Sequence, residues 1–141
     1  MSEAAADCVL CLPPAASPLW AGERCRVMLA GEPDYPSFCR VIWRTHVREM
    51  TDLAAIDREH LLAVVFTVER VLRELLQPDK INLAALGNQV PHLHWHVIPR
   101  FRDDAHFPDA VWALRRRAGV PRAVDESVLR TNLAAALSGI R

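Results

Sequence analysis

His92, His94 and His96 recur at every second residue in the segment His92-Leu93-His94-Trp95-His96-Val97-Ile98. In an extended strand successive side chains point to opposite faces. This period therefore puts three imidazoles on one face, about 6.6 Å apart at a rise of roughly 3.3 Å per residue, and Leu93, Trp95 and Val97 on the other. The apolar face can bury against a helix, while the imidazole face must meet an anionic group or a metal ion. Neutral imidazole is a competent nucleophile near neutral pH, and covalent attack divides one hard displacement into two easier ones. Imidazoles from one strand can equally ligate zinc or iron. A lone histidine here would read as structural; three at a strict period point to chemistry.

Other residue types that can do chemistry are fewer. Cys8 and Cys11 form a Cys-x-x-Cys, a spacing that serves redox sites and metal sites alike, and no strand-helix-strand pattern follows to suggest a thioredoxin-like role. Cys25 and Cys39 fall inside strand candidates and read as small core residues. His106, close to Asp103-Asp104, reads either as an acid or phosphate contact at the site or as an exposed loop histidine. The one basic cluster, Arg115-Arg116-Arg117 with Arg122, reads as a solvated face that can still draw in an anionic substrate. There is no P-loop and no Gly-rich dinucleotide fingerprint.

The elements that must position these residues follow from periodicity. Met1 to Trp20 is expected to be an irregular lead-in, because Pro13, Pro14 and Pro18 remove donors. Arg24 to Leu29 and Phe38 to Trp43 are expected as strands on either side of the turn Gly31-Glu32-Pro33-Asp34. Leu61, Val65, Val68, Leu72 and Leu75 alternate four and three apart, one face of a main helix that starts near Thr51 or Asp52 and stops at Pro78. Ile81 to Leu86 and Leu93 to Ile98 are further strands around the turn Gly87-Asn88-Gln89. Asp109 to Arg117 can be short helix or extended. Asp125 to Leu137, with an Asp cap and Gly139 beyond its end, is a closing helix.

Composition sets outer limits. The 141 residues suit a single domain, 1–141, with 51% hydrophobic and 24% charged residues. Lys plus Arg and Asp plus Glu both number 17, so no whole-molecule positive field exists to gather nucleic acid or an anionic membrane surface. The longest apolar run, Leu61 to Phe66, is far too short for a membrane span, and Met1 to Asp7 lacks the basic start of a secretory signal. A cytoplasmic location is the expectation.

Asn82 and the stretch Gly87-Asn88-Gln89-Val90-Pro91-His92-Leu93-His94-Trp95-His96-Val97-Ile98-Pro99-Arg100 resemble the histidine triad signature. Val41-Ile42-Trp43-Arg44-Thr45-His46 upstream and the intervening helix extend the resemblance over residues 8–102, leaving 103–141 as a C-terminal extension. The resemblance implies an α+β fold: an antiparallel β-sheet with a main α-helix packed on it, plus the C-terminal helix, usually as a homodimer. It implies a nucleotide hydrolase or nucleotidyltransferase acting on dinucleoside polyphosphates or nucleoside phosphoramidates. His94 is then the nucleophile that forms a nucleotidyl-histidine, His96 bonds phosphate oxygens, and Asn82 with Asn88 or Gln89 holds the phosphate chain. Some members of the family hold a structural zinc ion with residues that correspond to Cys8, Cys11, His46 and His92, and no organic cofactor is implied. The acidic residue that many members use for ribose falls at Ala30, so Glu32 or Asp34 would have to replace it. Trp43 stands where many relatives have proline, and Asn88 where glutamine is usual. A nucleotide-binding regulatory module and a hydrolase using the strand histidines as metal ligands remain the rival readings.

Overall fold

A computed structural model describes residues 6–140 and contains β1 (Trp20–Ala21), β2 (Cys25–Leu29), β3 (Cys39–Trp43), α1 (Ala55–Leu76), β4 (Lys80–Ala84), β5 (His94–Arg100) and α2 (Glu126–Ala136). The opening residues of the lead-in, Met1 to Ala5, lie outside the described residues. The strands form one antiparallel sheet in the order β1-β2-β3-β5-β4, so β5 slots between β3 and β4, and the α1 crossover leads from β3 to the sheet edge. The α+β fold expected of the sequence is the one observed, and no helix among the described residues is long and apolar enough to cross a membrane.

The helix face read from the 3.6 period is the buried one. Leu61, Val65, Val68 and Leu72, joined by Val64 and Val71, pack against Val27, Val41, Trp43 and Val97 from the sheet, and Leu129, Leu133 and Leu137 from the chain end close the same core. Each fully buried side chain of this kind contributes about 1.5–3 kcal/mol. The start of α1 lies later than expected. A 3-10 turn at Met50–Asp52 comes first, and the Asp52 carboxylate is used to accept from the N–H groups of Arg48 (3.3 Å) and Glu49 (3.0 Å). The helix stops at Gln77, left-handed at φ 49°, before Pro78. Asp125 caps α2 as expected, accepting from Ser127 N at 2.8 Å and Val128 N at 3.3 Å.

Cross-strand partners share a sheet face, so register says what stands beside what. On the face away from α1, one row reads Met28, Arg40, His96 and Ala84, and the neighbouring row reads Arg26, Ile42 and His94. Residues 101–123, which contain no helix or strand, fold back toward this face, where Val111 packs on Tyr35, Phe38 and Ile98. Asp109 to Arg117, for which helix and strand were both open, is neither.

A buried ion pair pins that return. Arg100 and Asp104, each 2% exposed, meet through Nε to Oδ2 at 2.8 Å and Nη2 to Oδ1 at 3.1 Å. Arg100 also donates to Asn82 Oδ1 at 2.7 Å and to the Asp109 carbonyl at 2.8 Å. Asp104 further accepts from the N–H groups of Phe101, His106 and Phe107 and from the Tyr35 hydroxyl. With its proton spent there, the Tyr35 hydroxyl is left to accept from His106 Nδ1 at 2.6 Å. His106 is thus a buried member of this network, neither an exposed loop residue nor a wall of the histidine cleft. Gly119 seals the fold-back: at φ +81°, a Cβ there would stand 2.8 Å from the Ala105 nitrogen. The basic run is stitched as well as solvated, since Arg115 pairs with Asp34, Arg116 with Asp109, Arg122 with Asp103, and Arg117 donates to the carbonyls of Asp104 and Phe107.

Removing one partner of a buried pair strands the other charge, so Asp104→Asn is expected to lower unfolding stability in urea by about 3 kcal/mol at neutral pH. Burial alone would raise the Asp104 carboxyl, but the Arg100 guanidinium and the three backbone donors outweigh it and hold the group well below the ordinary carboxylate range. Its contribution is complete above the unfolded carboxylate value of about 4 and is lost as pH falls from there toward the folded value. The stability gap between wild type and Asp104→Asn should therefore narrow below about pH 4. A gap that stayed constant across acid pH would contradict this assignment.

Candidate functional site

β5 begins at His94 rather than Leu93, and that difference separates the three histidines. His92 lies in the turn before the strand, fully buried, with Nε2 2.6 Å from the Trp43 carbonyl. A carbonyl only accepts, so Nε2 carries the proton and the lone pair of a neutral ring sits on Nδ1. Burial, the largest influence, keeps this ring neutral by depressing its pKa, aided by His46, His94 and Arg26 and opposed by the Trp43 bond. The strand period thus places His94 and His96 together, ring centres 4.9 Å apart, while His92 Nδ1 turns to a separate group.

That group is Cys8, Cys11, His46 and His92. His92 Nδ1 lies 3.5 Å from each of the two sulfurs, Cys11 Sγ lies 3.3 Å from His46 Nδ1, and the two Nδ1 atoms are 3.2 Å apart. All four ligand atoms fall within 4.8 Å of one another. A tetrahedral zinc ion, with sulfur at ~2.3 Å and nitrogen at ~2.0–2.1 Å, would set S–N edges of about 3.6 Å and an N–N edge of about 3.3 Å. The donor set and its spacing fit such an ion, and four protein donors leave no open position. His94 and His96 do not belong to the group, which removes the geometric basis for a single metal held by all three strand histidines. The loop is held from behind by Arg26, whose Nη2 donates to the Leu10 carbonyl at 2.9 Å.

His94 is 8% exposed and its Nδ1 lies 2.5 Å from the His92 carbonyl. By the same donor logic Nδ1 carries the proton and Nε2 presents a lone pair. Burial lowers the His94 pKa, the bond to His92 opposes this, and Arg40 adds to the lowering. His96 is depressed further, to about 4, by burial and then by His94 and Arg40. Both rings are neutral at neutral pH. His96 Nδ1 is buried without a hydrogen-bond partner among the described residues.

A cleft of about 340 Å³ opens beside these two rings. Asn88 and Gln89 line it from the turn after β4, Val9 and Leu10 from the Cys8–Cys11 loop, and Trp112 from the extension, its ring 5.1 Å from that of His96. Arg40 lines it from β3. A second cleft, of about 220 Å³, reaches His94 from the side of Arg48 to Thr51. Asn82 does not line the main cleft; its carbonyl oxygen is taken by Arg100. Glu32 is exposed and Asp34 is paired with Arg115, and neither lines the cleft. Cys25 and Cys39 are core residues, fully buried, their thiols pushed up to about 12 chiefly by that burial.

Arg40, Trp112 and the Val9-Leu10 wall were not among the residues singled out in the sequence. Arg40 did leave a signal, since it is a charged residue in the middle of an otherwise apolar strand. Trp112 left none, because it arrives through an irregular segment.

The HIT domain family matches residues 17–103. Among curated proteins, AP-4-A phosphorylase of Mycobacterium tuberculosis is 31% identical over 81 residues, 53% of this chain and 42% of its own length. Bis(5'-adenosyl)-triphosphatase of Saccharomyces cerevisiae is 31% identical over 64 residues, 42% of this chain and 31% of its own length. The chain thus spans less than half the length of these relatives. A solved histidine triad protein from Marinobacter aquaeolei VT8 is 28% identical with a TM-score of 0.70, covering 89% of this chain and 90% of that one. A Zn-bound histidine triad family protein from Mycobacterium smegmatis is 25% identical with a TM-score of 0.57, covering 88% and 86%. With the matched segment spanning the sheet from β1 to β5 and both paired imidazoles, the chain belongs to the histidine triad (HIT) family.

Proposed function

We propose that this protein is a nucleotide hydrolase or nucleotidyltransferase that uses His94 as a nucleophile on dinucleoside polyphosphates or nucleoside phosphoramidates. The observation that carries the reading is the hydrogen bond from His94 Nδ1 to the His92 carbonyl, which leaves the opposite nitrogen unprotonated on a ring that lines a cleft. The names of the two curated relatives favour dinucleoside polyphosphates.

In the first step Nε2 of His94 bonds to the nucleotidyl phosphorus while the bond from phosphorus to the leaving oxygen or nitrogen breaks, its electron pair departing with the leaving group. The ring gains positive charge, and its Nδ1–H bond to the His92 carbonyl strengthens as that charge develops, a gain made in the transition state rather than before it. Water then attacks phosphorus, gives its proton to solvent, and releases the mononucleotide and neutral His94; in a transferase an anionic acceptor takes the place of water. His96, whose Nδ1 has no partner among the described residues, bonds a nonbridging oxygen, and Asn88 and Gln89 hold the remaining phosphate oxygens. Asn82 acts through Arg100, steadying the β5 end of the site.

Zinc held by Cys8, Cys11, His46 and His92 supplies structure, tying the Val9-Leu10 wall to the turn that carries the His92 carbonyl. The same reading includes a homodimer working in the cytoplasm; Ile56 and Phe66, exposed on α1, are apolar surface available to a second copy.

His94→Asn should fold and bind nucleotide as wild type does, yet lose more than roughly a thousandfold in kcat, because asparagine cannot form the nucleotidyl intermediate. Quenched turnover of a substrate labelled on the nucleotidyl phosphorus should place the label on His94. Normal turnover by the variant, or label on a cysteine or serine, would overturn the mechanism.

Purified protein should carry about one zinc per chain in a two-sulfur, two-nitrogen shell seen by X-ray absorption. Chelation should lower the melting temperature and raise KM, through the freed Val9-Leu10 wall, while kcat on the folded fraction changes by less than about threefold. Loss of kcat with no change in melting would instead mark the metal as catalytic.

A further inference from the structure

Phosphoryl transfer places negative charge on several oxygens at once. Asn88 and Gln89 are uncharged amides, so neither brings formal charge to a polyanion. Among the residues that line the main cleft, Arg40 alone is charged.

Arg40 is the second residue of β3, directly across from His96 and one diagonal step from His94. Diagonal neighbours on a sheet stand about 7–8 Å apart, within reach of a long side chain. Its guanidinium carbon lies over the Phe38 ring, 5.8 Å from the ring centre. Arg24, Arg100, Arg115, Arg116, Arg122 and Arg130 all have carboxylate partners, whereas no carboxylate among the described residues pairs with Arg40. Among the described residues its Nε is buried with no hydrogen-bond partner, as is Nδ1 of His96, which is 5% exposed. Two buried polar atoms left open side by side on one row of the sheet describe a place for an anion, since such atoms are costly unless something fills them.

We propose that Arg40 is the ligand of a second phosphate, adjacent to the one attacked by His94, and that it selects a phosphoanhydride chain over a phosphoramidate or simple phosphoester carrying a single charged phosphate. The proposal rests on His94 as nucleophile. With the reacting phosphorus at Nε2 of His94 and one oxygen on His96, the guanidinium reaches the neighbouring phosphate across the strand pair. Its planar fork can give that phosphate two parallel charge-assisted bonds. A phosphoramidate has no charged group to offer at that distance, so the unpaired cation weighs against it.

The test compares wild type with Arg40→Met, which keeps the stem without the charge, Arg40→Gln as a second neutral variant, and Arg40→Lys, with melting temperature confirming the fold of each. Calorimetric titration with inorganic tripolyphosphate should show binding to wild type, weakening by at least roughly tenfold in the neutral variants and largely retained in Arg40→Lys. On a dinucleoside tetraphosphate, kcat/KM of the neutral variants should fall roughly ten- to a hundredfold, and by at least about tenfold more than on a nucleoside phosphoramidate. Absence of tripolyphosphate binding by wild type, unchanged binding in the neutral variants, or equal losses on both substrates would overturn the proposal. If wild type turned over neither substrate, the role of His94 would fail, and the tripolyphosphate titration would still decide that of Arg40.

Discussion

The bond from His92 Nε2 to the Trp43 carbonyl fixes a proton, and much of the site follows from where that proton sits. With Nε2 protonated, Nδ1 is the only lone pair His92 can turn toward Cys8, Cys11 and His46, and a thiolate-imidazole metal group needs that lone pair. A side chain held at both nitrogens cannot rotate, so its backbone carbonyl is held too, and that carbonyl sets the tautomer of His94. Trp43 serves twice, because its own N–H donates to the Leu93 carbonyl at 3.1 Å, a bond that proline at this position could not make. One turn of chain therefore links the order of the Cys8–Cys11 loop to the basicity of the ring two residues further on.

A second buttress works from the opposite end of β5. Arg100 and Asp104 are both removed from water, a costly arrangement unless every donor and acceptor is met, and here nearly all are: the guanidinium has three partner residues and the carboxylate six donor groups. Burying a charged pair contributes little net stability compared with packed apolar residues, but its directional bonds specify one arrangement. What they specify is the path of residues 101–123, which have no helix or strand to do so. Trp112 reaches His96 along that path.

Local pattern carried the fold a long way. The four-three spacing of Leu61, Val65, Val68 and Leu72 marked the α1 face, and the alternation of His94, Trp95, His96 and Val97 marked both faces of β5. The same alternation misled at His92, since a period-two argument holds only while the chain stays extended, and the strand starts two residues later. The two-residue β1 is too short to leave a period. Arg40 was visible as an odd charge in a strand, but that it faces His96 depends on register, which is decided by pairing between segments more than fifty residues apart. The role of Asp104 was hidden for a related reason: its carboxylate's bonds are all local or to Tyr35, but their value depends on burial that no local pattern reports.

The residues that line the cleft are drawn from different parts of the chain. His94, His96, Asn88, Gln89 and Arg40 lie within the family core, whereas Val9, Leu10 and Trp112, which wall the cleft, lie before and after it. The candidate metal group straddles the boundary, with Cys8 and Cys11 outside and His46 and His92 inside. Under the proposed mechanism the inner residues would have to keep tight geometry, because displacement at phosphorus tolerates little error in the approach of the nucleophile. The outer ones only exclude water and shape the walls, so they can change without disturbing the proton on His92. The Leu10 carbonyl held by Arg26 and the extension pinned by a buried ion pair set the two outer walls of the cleft, and walls so fixed would let one cation, Arg40, discriminate between ligands by charge at a set distance rather than follow whichever ligand is bound.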